Sequence, residues 1–114
     1  MSDTATESGT GGPVHVEGRE HLQRLVEGND VVLVDFHADW CGPCKMLEPT
    51  VAEIAEESDA VVAKVDIDEL QELARDAGVR SVPTLQFYAH GEESKRFIGV
   101  QSKDDLLDVI ASLA

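Results

Sequence analysis

Two cysteines only three positions apart, Cys41 and Cys44 in the segment Cys-Gly-Pro-Cys, constrain this chain more than any other feature. A disulfide that closes so short a loop removes little conformational entropy from the unfolded chain, so it adds little stability. In a compartment that keeps thiols reduced, a structural disulfide is also not expected. The pair therefore indicates chemistry rather than cross-linking.

The residues around the cysteine pair predict a strand before it and a helix after it. The segment 31–36 is an apolar, β-branched run interrupted by Asp35, which is typical of a central strand buried on both faces. The following helix is predicted to extend to about Glu57, and Pro43 suits its first turn. Its apolar stripe, at spacings of three and four residues, is formed by Cys44, Leu47, Val51 and Ile54.

The rest of the chain alternates between strand and helix patterns. We predict an edge strand at 14–16, a helix at 19–27 ended by Gly28, a strand at 60–65, a helix capped by Asp68 and ended by Gly78, strands at 85–89 and 95–98 joined by a turn at 90–93, and a last helix capped by Ser102. This order indicates an α/β fold, a mixed sheet covered by helices. The cysteine pair then follows a central strand, at the sheet edge where such folds usually place their sites.

The start of a helix favours a thiolate, because unpaired backbone N–H groups and the helix dipole stabilise negative charge there. Cys41 precedes the predicted helix and is the candidate nucleophile. Cys44 lies one turn later on the apolar stripe, so we expect it to be less accessible than Cys41.

Asp35 is the second unusual residue, because it interrupts an apolar strand. Burial disfavours the charged carboxylate and raises its pKa, and a carboxyl of this kind beside a dithiol can accept and donate protons. The alternative is that Asp35 faces a solvated edge or makes a structural hydrogen bond. For Pro83, which follows Val82, the residues alone predict a trans proline at the start of an edge strand.

The net charge of −14 limits the possible partners of the chain. Binding to nucleic acid or to an anionic membrane needs Lys and Arg in excess, so neither partner is expected. Self-repulsion at this charge destabilises the compact state until salt screens it. We interpret the acidity as an adaptation to a salt-rich cytoplasm; the alternative is an acidic protein from an ordinary cell.

The ends and hydropathy of the chain predict one domain and a cytoplasmic location. Residues 1–13 are rich in Gly, Ser and Thr and are expected to form a disordered tail. They contain no basic and apolar segments of a secretory signal, and no apolar run approaches the roughly 18 residues of a membrane span. Residues 14–114 are therefore expected to form a single domain.

Several segments of this sequence strongly resemble the thioredoxin family. They are VVLVDFHADWCGPCKMLEP (31–49), VAKVDID (62–68), GVRSVPTLQFYAHGE (78–92) and the Gly99 region. WCGPCK is highly specific, and the resemblance covers roughly residues 14–114. It implies a thioredoxin fold, a central mixed five-stranded sheet flanked by four helices.

The resemblance also implies a role for each matching site residue. Cys41 attacks a disulfide in a client protein, Cys44 resolves the mixed disulfide, and Asp35 is the buried acid–base carboxyl with Lys64 close to it. Pro83 is implied to be cis and to lie beside the dithiol. The surface that receives the substrate comprises Trp40, Gly42, Pro43, Val82, Pro83 and Gly99. No cofactor is implied beyond the Cys41–Cys44 disulfide, a thioredoxin reductase recycles it, and the protein is expected to be a monomer.

One residue departs from the family pattern. His37 stands two residues after Asp35, where many thioredoxins carry Trp, Phe or Ser. A protonated imidazole there would favour the thiolate and shift the redox potential. The alternative, which we favour, is a tolerated surface substitution.

Two other functions compete with disulfide reduction. An oxidant or isomerase would use the same motif, but oxidising members tend to carry His between the cysteines, and this chain carries Gly42 and Pro43. A metal site or a binding module without turnover is the second alternative. One Cys-x-x-Cys supplies two thiolates, whereas structural zinc takes four ligands, so no metal is expected.

Overall fold

The computed structural model describes residues 11–114. The tail predicted over residues 1–13 lies outside this range except for its last three residues, which form neither helix nor strand. Among the described residues, no helix is long and apolar enough to cross a bilayer.

The described chain forms a five-stranded mixed sheet and four helices. The strands are β1 (Val14–His15), β2 (Val31–His37), β3 (Val61–Asp66), β4 (Thr84–Ala89) and β5 (Glu92–Ile98), and the helices are α1 (Arg19–Gly28), α2 (Gly42–Glu57), α3 (Gln71–Asp76) and α4 (Lys103–Leu113). The spatial order of the strands is β1-β3-β2-β4-β5. Strands β1, β2 and β3 are parallel, whereas β4 is antiparallel to both β2 and β5. The predicted fold class is therefore confirmed.

The central strand β2 separates two core layers. Val31 and Leu33 pack in one cluster with Leu47 and Ile54 of α2. The intervening residues of β2 pack on the opposite face in a cluster that includes residues of α1. Because side chains alternate along a strand, Asp35 lies on the face that α2 covers. The carboxyl group of Asp35 therefore lies beneath α2, the helix that begins at the cysteine pair.

Three local predictions agree with the structure in detail. The stripe of α2 is buried as expected, with Leu47, Val51 and Ile54 fully enclosed. Ser102 caps α4, since its Oγ accepts the backbone N–H of Asp105 at 3.1 Å. Gly78 follows α3 with a φ of 76°, a left-handed conformation that glycine adopts without steric cost.

The predicted cap of α3 is wrong. Helix α3 begins at Gln71, and Asp68 does not cap it. Instead, Asp66 at the end of β3 accepts the backbone N–H groups of Asp68 and Glu69 through its Oδ1. A carboxylate at the strand end therefore organises a turn before the helix can start.

The hairpin between β4 and β5 is tighter than predicted. Its loop is His90 and Gly91, with φ values of 53° and 87°, and β5 already begins at Glu92 instead of Lys95. Two successive residues with positive φ form the two-residue loop whose twist matches that of the flanking strands. The sequence pattern missed the first residues of β5 because exposed, polar residues on an edge strand do not show strand periodicity.

Candidate active site

Cys41 and Cys44 form a disulfide at the start of α2, with their Cα atoms 5.2 Å apart. Cys41 is the N-cap residue, and its Sγ accepts the backbone N–H of Cys44 at 3.1 Å. Both cysteines are only 4% exposed. The expected difference in accessibility is therefore absent from the oxidised protein, because Ala38, Ile67 and Val82 pack around both cysteines.

A loop from the other half of the chain contacts the disulfide. The Val82 carbonyl oxygen lies 3.7 Å from Cys41 Sγ, and the Val82–Pro83 peptide bond is cis. The trans proline at the start of an edge strand, expected from the residues alone, is wrong in both respects, because the bond is cis and β4 lies between β2 and β5. The cis bond implied by the resemblance is present. The Gly99 N–H donates to the Pro83 carbonyl at 2.9 Å, with Gly99 at a φ of 94°. Residues far apart in sequence are thus brought together beside the disulfide.

The exposed side of the motif is formed by Trp40, Gly42 and Pro43. Trp40 is 68% exposed, although its indole Nε1–H donates to Asp68 Oδ2 at 2.9 Å. This hydrogen bond fixes one edge of the ring and leaves an apolar surface beside the disulfide in contact with solvent. The sequence pattern did not predict Asp68 as a partner of Trp40 or Ile67 as a neighbour of the cysteines. Their positions in the sequence could have indicated these contacts. Both residues follow β3, and the carboxyl end of β3 lies beside that of β2, which precedes the cysteines.

Asp35 is buried beneath α2, with 2% of its surface exposed. Its pKa is raised from 3.8 to about 6 by three effects together: burial raises it most, the positive charge of Lys64 lowers it, and the negative charge of Glu48 raises it. Its Oδ1 is buried without a hydrogen-bond partner. The alternative of a solvated edge is thus excluded, and the side chain is a carboxyl that gains and loses its proton near neutral pH.

Lys64 is the cross-strand neighbour of Asp35 on β3. Its Nζ lies 3.9 Å from Glu48 Oε2, while the Lys64 side chain is 9% exposed and that of Glu48 is 57% exposed. Within residues 11–114, Lys64 makes no ion pair with Asp35 at 4.0 Å or less. Glu48 was not predicted from the sequence, where its only signal is its position one helical turn after Cys44.

His37 ends β2 and is half-buried, with its Nε2 buried and without a hydrogen-bond partner. Burial is the main cause that lowers its pKa, and the nearby Lys64 charge lowers it further. The neutral imidazole therefore predominates at neutral pH, which argues against an electrostatic role for a protonated His37.

His37 also belongs to a group of possible metal ligands that the sequence analysis did not predict. Sheet pairing places His37 beside Asp66, and ligand atoms of His37, Asp39 and Asp66 lie within 4.8 Å of one another. Asp66 already accepts two backbone N–H groups through Oδ1, and Asp39 is exposed. Exposed acidic groups commonly adopt such arrangements without an ion, so this group does not define a metal centre.

The mixed sheet, the disulfide at a helix start and the adjoining cis-proline loop define the class of thiol–disulfide oxidoreductases. A sequence model of the family described as thioredoxin matches residues 12–112. This chain belongs to the thioredoxin family, and it is a protein-disulfide reductase that uses the Cys41–Cys44 disulfide as its redox group and acts on substrates that contain disulfides.

Individual relatives agree with this assignment. A mutant thioredoxin from Halobacterium salinarum NRC-1 has a similar structure, with a TM-score of 0.87, 52% sequence identity and coverage of 90% of each chain. The thioredoxin of Mycobacterium tuberculosis is 40% identical over 114 residues, covering 95% of this chain and 98% of its own. Thioredoxin-2 of Saccharomyces cerevisiae is 47% identical over 81 residues, covering 70% of this chain and 78% of its own.

Proposed function

We propose that Cys41 is the attacking thiolate and Cys44 the resolving thiol when this protein reduces a client disulfide. The observation that carries this assignment is the position of Cys41 as N-cap of α2, where its sulfur accepts the Cys44 N–H. A backbone N–H and a helix N-terminus favour a thiolate at that atom. Cys44 lies inside the helix on its buried stripe and has no such position.

The reaction then has two exchange steps. The Cys41 thiolate attacks one sulfur of the client disulfide, forms a mixed disulfide and releases the first client thiolate. Cys44 loses its proton and attacks Cys41 Sγ, which closes the Cys41–Cys44 bond and releases the second client thiolate. Two electrons pass from the protein dithiol to the client, and the client thiolates take up protons.

We assign the proton transfer at Cys44 to Asp35. Its support is the carboxyl under α2, whose burial raises the pKa to about 6 and makes it a stronger base than an exposed aspartate. Lys64, its neighbour on β3, moderates that shift because its positive charge favours the carboxylate.

The client is proposed to bind on the surface around the disulfide. The residues proposed for this surface are Trp40, Gly42, Pro43, Val82, Pro83 and Gly99. The first three are exposed, Val82 and Gly99 are half-buried, and Pro83 is buried. The exposed ring of Trp40 supplies apolar contact area, and the Val82 carbonyl beside Cys41 offers a backbone acceptor to an extended peptide.

The cellular setting is likewise a proposal. We place the protein in the cytoplasm as a monomer with one domain over residues 14–114, recycled by a thioredoxin reductase and needing no cofactor besides its disulfide. The net charge of −14 supports the monomer, because copies of the chain repel one another.

Alkylation of the reduced protein tests the assignment of the two cysteines. At neutral pH and limiting iodoacetamide, we expect Cys41 to be modified at least about tenfold faster than Cys44, because the thiolate is the reactive form and the N-cap position favours it. Mass spectrometry of peptides carrying each cysteine gives the two rates. The denatured protein is the control, where the rates converge. Faster labelling of Cys44 in the folded protein would reverse the assignment.

Salt dependence tests the proposed adaptation to a salt-rich cytoplasm. Of the acidic residues in the described range, Asp35 is buried, Asp66 is half-buried and the others are exposed. Raising KCl from dilute buffer to about 2 M screens their repulsion, so we expect the melting temperature to rise by about 10 °C. A neutral solute at equal osmolarity serves as control. Equal melting temperatures in dilute buffer and in molar KCl would remove the halophilic interpretation.

A further inference from the structure

The charged groups around Asp35 form a chain that runs outward from the core. On β3, Lys64 is directly opposite Asp35, and on α2 Glu48 lies 3.9 Å from the Lys64 ammonium. The neighbour of Asp35 on β4 is Leu85, which carries no charge. His37, on the same strand as Asp35, is neutral near pH 7 because burial lowers its pKa. Lys64 and Glu48 are therefore the charges that act on Asp35 within the described residues.

The direction of the Lys64 side chain decides what these charges do. A lysine that paired directly with Asp35 would stabilise the carboxylate and make it a weak base. The ammonium of Lys64 instead makes its ion pair with Glu48, on the exposed side of the layer, and Asp35 keeps an unpartnered Oδ1. Because the Glu48 side chain is 57% exposed, its charge is retained at little desolvation cost, and its attraction for the ammonium is modest, of the size found for pairs with an exposed partner.

We infer that Glu48 is a positioning residue for the disulfide exchange: its carboxylate holds the Lys64 ammonium on the exposed side of the layer, so that no direct ion pair with Lys64 forms at the buried carboxyl of Asp35. This inference rests on the role proposed above for Asp35. Glu48 is not among the residues proposed above for the client surface or for the exchange steps. It acts through Lys64, and also directly, since its negative charge disfavours a second one on Asp35.

The substitution Glu48→Gln tests this inference by NMR. In the oxidised protein at low ionic strength, the side-chain ¹³C carboxyl signal of Asp35 gives the midpoint of its titration. We expect this midpoint to fall by about 0.5 pH unit, roughly a threefold change in the proton affinity, because Lys64 is released toward Asp35. In about 1 M KCl the difference should shrink, since one partner is exposed.

Glu56→Gln is the matched control, because Glu56 is an exposed residue of the same helix. It removes the same charge, and we expect the Asp35 midpoint to stay within about 0.1 pH unit of the parent value. In a Lys64→Gln background, Glu48→Gln should produce a smaller shift than in the parent. An unchanged midpoint in Glu48→Gln, or an equal shift in Glu56→Gln, overturns the inference.

Kinetics separate this inference from the proposed role of Asp35. In Glu48→Gln, the acid limb of the pH profile for resolution of the mixed disulfide should move to lower pH by the same amount as the NMR midpoint. If Asp35→Asn leaves that resolution rate unchanged, the role of Asp35 fails. The NMR titration measures the effect of Glu48 on the carboxyl whether or not the carboxyl takes part in the reaction.

Discussion

Replacing Cys44 with Ser is expected to leave the protein covalently joined to its client after one encounter. Cys41 keeps its N-cap position and still attacks, but the thiol that would release the client is missing. External thiol must then resolve the mixed disulfide. Effective molarities of well-oriented intramolecular reactions reach about 10⁵ M or more, so turnover with millimolar thiol should fall at least about 10³-fold. Steady-state reduction of a protein disulfide measures this loss, and non-reducing electrophoresis detects the adduct.

Cys41→Ser is the paired control for the trapping experiment. It also abolishes turnover, but it should form no adduct, because the remaining thiol at position 44 lies inside α2 and lacks the N-cap position that favours a thiolate. Both variants should melt cooperatively, which separates loss of chemistry from loss of fold. An adduct in Cys41→Ser, or unimpaired turnover in Cys44→Ser, would contradict the proposed order of attack.

The strand and helix that position this disulfide were predictable because the periodicity of their apolar residues matches their burial in the fold. The apolar run of β2 and the stripe of α2 have the periodicities of a buried strand and an amphipathic helix. Cys41 and Pro43 mark the boundary between the two elements. Asp35 stood out for the same reason, as one polar residue in an apolar strand.

The features that the sequence did not predict depend on contacts between distant segments. The ion pair of Lys64 with Glu48 forms only because α2 packs against β3 in the folded protein, and the sequence does not show this packing. Asp66 and Asp68 both lie shortly before α3, and either carboxylate could accept backbone N–H groups there. Asp66 accepts the N–H of Asp68 and organises the turn, so Asp68 does not cap the helix. The equal burial of the two cysteines likewise depends on Val82, a residue brought in by the cis-proline loop.

The substitution Asp35→Asn is expected to stabilise the oxidised protein at pH 8 by about 3 kcal/mol. The pKa of Asp35 is about 6 in the folded protein, against 3.8 for an unperturbed aspartate. Between these values the folded state binds more protons than the unfolded state, so the free energy of unfolding falls as pH rises. The 2% exposure of Asp35 leaves little solvent to reduce this cost of ionisation. The neutral amide removes it.

The pH dependence distinguishes this effect from ordinary changes in packing. Below about pH 4, Asp35 is protonated in both states and the variant should gain little; the gain should grow through pH 4–6 and then stay constant. Denaturant melts across this range, in molar KCl to screen the other carboxylates, measure the difference between variant and parent. Asp108→Asn, at an exposed position on α4, is the control and should change stability by less than about 0.5 kcal/mol at every pH. A gain that is independent of pH, or a loss of stability at pH 8, would mean that ionisation of Asp35 costs nothing in the folded protein. The proposal that Asp35 is a buried proton acceptor under α2 would then be wrong.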